Sequence, residues 1–123
     1  MTAAQLAAAI TPRTKCLILC SPSNPTGMVY TAAELKALAD VIVEKDILVI
    51  SDEIYEKLIF GVAFASIAAL RPGMMERTIV VNGASKAYAM TGWRIGYAAG
   101  PKEIMTAAGR MQSQSTSNAT SIA

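Results

Sequence analysis

The stretch KCLILCSPSNPTGMVYTAAELKALADVIVEKDILVIS, residues 15–51, decides the fold. Residues 15–21 form a short, continuous apolar run closed by Ser21-Pro22, the pattern of a buried strand. SPSNPTG (21–27) gathers Pro, Ser, Asn and Gly, which is loop chemistry. Thr31 then precedes Leu35, Leu38, Ala39 and Ile42 at helical spacing. Glu34 lies three residues on, a capping box at a helix start. ILVIS (47–51) returns to a β-rich run. Strand, helix and strand in that order predict a parallel crossover in an α/β sheet. The strands are near-continuous in apolar residues, so burial of both sheet faces is expected.

Beyond this unit, the Ala-rich residues 2–10 favour a helix, and TIVVNG (78–83) and RIGYAAG (94–100) read as further strands. KEIMTAAGRMQSQ, from Lys102, reads as a helix, and the polar end STSNATSIA as a loop or the start of another. The expectation is an α/β fold: a mostly parallel sheet with flanking helices, in a single partial domain over 1–123. No internal repeat or linker interrupts it.

Composition narrows the function. The chain is 53% hydrophobic and 16% charged, which suits a buried sheet or a large hidden interface. A net charge of +2 leaves no basic footprint, so no nucleic-acid partner is expected. No apolar run approaches the roughly 18 residues of a membrane helix. MTAAQLAAAI has no basic segment, so no secretory signal is read and a cytoplasmic setting is expected. Cys16 and Cys20, if on one strand, stand roughly 13 Å apart, too far for a disulfide. Buried free thiols are expected. There is no histidine, which removes Ser-His-Asp and Cys-His catalysis and most zinc sites. No metal is expected, and the chemistry falls to Lys, Tyr, Asp, Glu or a cofactor.

Ligands of open α/β sheets bind outside the carboxyl ends of the strands. SNPTG follows the first strand, DEIY the second and GASK the third, while WR opens the fourth. Asp52 is either a helix cap or a strand-end carboxylate seeking a cation. Tyr55 is either a packing residue or a phenol facing the same crevice. Asn24 is either turn chemistry or an amide donor aimed there. Lys86 is either a solvated surface charge or, among Ala84, Ser85 and Ala87, a dehydrated amine able to attack a carbonyl. Arg94 is either a surface charge or a fixed fork for phosphate, with Ser85 adding a hydroxyl. Trp93 reads as packing, and Met74, Met75, Met90 and Met105 as core filler. An amine needs an aldehyde, a guanidinium and a hydroxyl need a phosphate, and a carboxylate needs a cation such as a protonated ring nitrogen. Pyridoxal 5′-phosphate carries all of these handles.

SPSNPTG, SDEIYEKL and NGASKAYAMTGWRIGY (82–97), in this order and spacing, resemble the class I aminotransferases of the pyridoxal-phosphate-dependent fold type I. The bacterial aspartate and aromatic branch is the nearest in appearance. The resemblance implies that residues 1–123 are the central part of the large, cofactor-binding domain, without its N-terminal part or the small domain. It implies that Lys86 forms the Schiff base and carries the proton shift, and that Asp52 pairs with the pyridine nitrogen. Tyr55 and Asn24 would donate to the ring's phenolic oxygen, and Ser85 and Arg94 would hold the phosphate. The family's glycine-rich phosphate cup, its ring-stacking aromatic residue and its substrate-carboxylate arginine lie outside this stretch.

The implied activity is transfer of an amino group from an amino acid to a 2-oxo acid, in a homodimer at full length. The isolated chain is expected to bind the cofactor weakly and turn over little. A lyase, synthase or decarboxylase on the same cofactor, and a non-catalytic pyridoxal-phosphate-sensing domain, are the alternatives.

Overall fold

The computed structural model describes residues 1–122. Helix α1 (Ala3–Ala9) leads into strand β1 (Cys16–Cys20), helix α2 (Ala32–Glu44) and strand β2 (Leu48–Asp52). A long irregular segment with two single-turn 3₁₀ helices follows, Ile67–Ala69 and Met75–Arg77. Strand β3 (Thr78–Gly83) runs directly into the one-turn helix α3 (Ala84–Ala87), and strand β4 (Gly96–Ala99) into helix α4 (Lys102–Ser113).

The starts of α1 and α2 have the same local cause. Thr31 accepts the Glu34 N–H at 3.3 Å, and Glu34 Oε2 accepts the Thr31 N–H at 2.8 Å. Thr2 and Gln5 repeat the device at α1. Each box satisfies backbone donors that the first helical turn leaves free. The Thr31 N–H and hydroxyl bonds hold the Glu34 carboxyl below its ordinary range.

The sheet order is β1-β2-β3-β4. β1, β2 and β3 are parallel, with Leu17 opposite Val49 and Val49 opposite Thr78. β4 is antiparallel to β3, with Gly83 opposite Gly96. The expected mostly parallel α/β sheet with flanking helices is what forms.

The core lies on one face of that sheet. Leu35, Leu38, Ala39 and Ile42 of α2 pack with Leu19, Val49, Ile67 and Met74, and Leu6 of α1 closes the end. Arg71 reinforces the layer, bonding the Asp40 carboxylate at 2.9 Å and its carbonyl at 3.2 Å.

The other face departs from the expectation of two buried faces. Ile18 is 73% exposed, and Leu48 and Val81 are also exposed. Ile18, Ile50 and Ile79 stand in register across three strands as an apolar row. The physical reason is that α1, α2 and the 65–74 segment all pack on one side, while α4 buries no residue. Cys16 and Cys20 are free, as expected, but only half-buried. The methionines divide: Met74 is buried and Met75 exposed. Trp93 is 42% exposed, not packed away. No described helix is long and apolar enough to cross a membrane.

Leu38→Ala leaves a cavity in the single core layer and lowers the unfolding free energy by about 2–5 kcal/mol in urea titration. The apolar open face drives self-association, seen as a sedimentation coefficient that rises with concentration. Ile18→Glu, which places a charge in the middle of that face, reduces it.

Candidate functional site

Parallel pairing brings the carboxyl ends of β1, β2 and β3 to one rim. Cys20 is opposite Asp52, and Asp52 opposite Val81. The ladder continues past the strands: the Ser21 N–H bonds the Asp52 carbonyl at 3.2 Å and the Glu53 N–H the Val81 carbonyl at 2.9 Å. The loops that leave this rim carry the candidate residues.

The first loop folds back on itself, with the Ser23 N–H on the Met28 carbonyl (2.9 Å) and the Gly27 N–H on the Ser23 carbonyl (2.8 Å). Gly27 has φ +70°, a conformation that glycine adopts without Cβ strain. Asn24 sits exposed on this loop. An open cleft of about 230 Å³ lies between the loop and Tyr55 and Leu58, and both Asn24 and Tyr55 line it.

Asp52 ends β2 half-buried, and its Oδ1 accepts the Ile54 N–H at 3.1 Å. That bond starts a tight turn, continued by Glu56 N–H to the Glu53 carbonyl and Leu58 N–H to the Tyr55 carbonyl. The turn places Tyr55 on the rim. Lys86 rises from α3, half-buried, with Nζ 5.5 Å from the Tyr55 ring centroid. This is cation–π range. Ser85 lies beside it, also half-buried.

Arg94 arrives from the opposite direction. β4 is antiparallel, so it enters the sheet where β3 leaves, and the Ala84 N–H bonds the Ile95 carbonyl at 3.2 Å. The approach is so close that a Cβ on Gly83 would stand 2.7 Å from the Ile95 oxygen, which leaves room only for glycine. The strand itself begins at Gly96; Thr91–Trp93 form a single 3₁₀ turn and Arg94 is its cap, with φ +54°. A non-glycine residue held there costs about 1–3 kcal/mol, and such strain gathers at functional sites. Among the described residues the guanidinium makes one bond, to the Thr91 carbonyl at 3.0 Å, and Arg94 is exposed. Among the described residues, neither Lys86 nor Arg94 forms an ion pair.

All six candidates therefore stand at one rim: Asn24 on the loop after β1, Asp52 and Tyr55 at and after the end of β2, Ser85 and Lys86 on α3, and Arg94 just before β4. Lys86 stands over the Tyr55 ring, within cation–π range. Asn24 shares the cleft with Tyr55. Asp52, Ser85 and Arg94 make no hydrogen bond to Lys86 among the described residues.

One residue was not anticipated. Glu53, next to Asp52, is 4% exposed. Its Oε1 accepts the hydroxyls of Ser51 (3.0 Å) and Ser66 (2.7 Å). Strand parity carries the signal: Val49, Ser51 and Glu53 alternate onto the core side, while Asp52 takes the open side. Burial pushes the Glu53 carboxyl above its ordinary range, and the Ser66 and Ser51 hydroxyls pull it partly back.

The model of the aminotransferase class I and II family matches residues 1–123. The chain belongs to this family. It is 59% identical to an aspartate aminotransferase of Geobacillus stearothermophilus, covering 100% of this chain and 32% of that protein. It is 56% identical to an aspartate/prephenate aminotransferase of Cereibacter sphaeroides, covering 100% of this chain and 31% of that one. Among solved structures it superposes on the aspartate aminotransferase of Rhizobium meliloti with a TM-score of 0.95 at 49% identity, over 99% of this chain and 31% of that chain. This member of the class I and II aminotransferases thus spans about a third of the length of the relatives it matches. The three motifs that resemble the family all lie within the matched stretch.

The folded chain holds the Glu53 proton more tightly than the unfolded chain does. Its contribution to stability is complete below the unfolded-state value and is lost as pH rises through the raised folded-state value. Glu53→Gln removes that slope; urea midpoints from pH 3.5 to 8 for the two proteins, about ten points each, measure the difference.

Proposed function

We propose that residues 1–123 are the central part of the large domain of a pyridoxal-phosphate-dependent aminotransferase, of aspartate or aromatic type. The whole protein moves an amino group from an amino acid to a 2-oxo acid, as a cytoplasmic homodimer. One observation carries the reading: an amine, a carboxylate, a phenol, an amide, a hydroxyl and a guanidinium stand on one rim of one sheet. The relatives, aspartate and aspartate/prephenate aminotransferases, support the substrate class.

The donor set fits the cofactor handle for handle. The Arg94 guanidinium, free but for one bond, and the Ser85 hydroxyl suit a phosphate. The Asp52 carboxylate suits a protonated ring nitrogen. The Tyr55 phenol and Asn24 amide, which line the same cleft, suit a phenolic oxygen. The Lys86 amine, without an ion-pair partner among the described residues, suits an aldehyde.

When bound, pyridoxal 5′-phosphate supplies an electrophilic carbon and a conjugated ring that takes up the electron pair released at the substrate α-carbon. The chain's own residues do the rest. Asp52, on the rigid end of β2, would hold a proton on the ring nitrogen. Once the substrate amine takes its place on the cofactor's carbonyl carbon, Lys86 Nζ would be free to take the proton from the substrate α-carbon and deliver it to that carbonyl carbon, two atoms along, as a general base and then a general acid. Tyr55 orients that amine from below, within cation–π range. Arg94 and Ser85 anchor the far end, so that the reacting atoms stay within reach of Lys86.

Incubation with pyridoxal 5′-phosphate, borohydride reduction and peptide mass mapping places the label on Lys86, and Lys86→Ala carries none. Label elsewhere overturns the assignment. In a polypeptide of the relatives' length, 2-oxo acid formation from aspartate falls by at least about 10²-fold on Lys86→Ala.

A further inference from the structure

Glu53 is a buried acid that the chemistry above does not use. It lies between two residues that the chemistry does use, Asp52 before it and Tyr55 two positions after. We propose that Glu53 is a positioning residue, whose Oε1 clasps both ends of the 53–66 loop and so sets Tyr55 under Lys86. The proposal deepens the reading above, since it concerns the placement of the same rim.

The geometry supports it at three points. The Glu53 backbone is pinned, its N–H bonding the Val81 carbonyl at 2.9 Å, so the loop leaves from a fixed origin on β3. Its side chain turns inward and takes the Ser51 hydroxyl from within β2. The same oxygen takes the Ser66 hydroxyl at 2.7 Å, across 13 residues of chain, just before the buried Ile67 re-enters the core. The middle of the loop between them leaves its apolar side chains in solvent: Phe60 is 89% exposed, and Leu58 and Val62 are exposed too. Closing a loop at its base with a charge-assisted bond restricts everything carried near that base. Tyr55 is within the first turn from the clasp, and Lys86 stands over its ring.

A carboxylate is kept in the core at a desolvation cost because it accepts from two hydroxyls at once. Glutamine keeps the acceptor oxygen and the shape, whereas alanine removes both bonds and leaves the buried Ser51 hydroxyl and the half-buried Ser66 hydroxyl without that partner. The serine side of the clasp can be cut independently by Ser66→Ala, a small change at a half-buried site.

The test reads the placement of Tyr55 directly. A lysine side chain over an aromatic ring has its ε-methylene proton resonances displaced upfield by the ring current, and Tyr55→Leu identifies that displacement in the chain without cofactor. Glu53→Ala and Ser66→Ala are expected to abolish it, while Glu53→Gln retains it. Borohydride labelling of Lys86 by pyridoxal 5′-phosphate is expected to slow about fivefold in the two alanine variants. If both Glu53→Ala and Ser66→Ala keep the displacement and the labelling rate, the positioning role is overturned. Where Glu53→Ala does not fold, as judged by circular dichroism, Ser66→Ala decides alone. If the ring-current displacement behaves as expected but the unsubstituted chain takes no label at Lys86, the cofactor reading fails and the clasp stands.

Discussion

The parallel register of β1, β2 and β3 is the constraint on which the rest depends. Three strands that run the same way end on the same side, and Cys20, Asp52 and Val81 form one row there. Backbone bonds beyond that row, from Ser21 to Asp52 and from Glu53 to Val81, hold the three departing loops at fixed spacing. Side chains far apart in sequence then meet because their loops have a common origin. A slip of one residue between β2 and β3 would turn Asp52 from the open face to the core face and Glu53 the other way.

The antiparallel β4 supplies what a purely parallel sheet does not. A parallel fourth strand would begin at the opposite rim and carry Arg94 away from the site. The reversal is compact because α3 is a single turn, because Ala89 and Arg94 take left-handed backbone conformations, and because Gly83 has no side chain to collide with the Ile95 carbonyl. The cost in strain and chain entropy is local, and it falls on the segment that delivers the cationic groups.

The rim also shows how adjacent acids come to differ. Asp52 and Glu53 are neighbours, yet one caps a turn at the half-buried edge and the other is sealed in the core between two serines. The alternation of a strand is enough to separate them. Their neighbourhood serves two ends of the proposed chemistry: an acid presented to the ring, and an acid that steadies the loop on which the phenol sits.

Much of this was legible in the amino-acid order alone. The capping box at Thr31 is local, so it was read from four residues, whereas the same device at Thr2 and Gln5 emerged only with the structure. Four strands, two long helices and six rim residues followed from apolar runs and from the residues that end them. The burial of each sheet face was not legible, because Ile18 and Leu19 are equally apolar and only the packing of α2 distinguishes them. Nor was the inward turn of Glu53 apparent beside Asp52, since its two hydroxyl partners come from Ser51 and, 13 residues on, Ser66. Short-range patterns state which residues are chemically capable. Tertiary structure decided which of them meet, because register and crossover direction are properties of paired strands and not of any one segment.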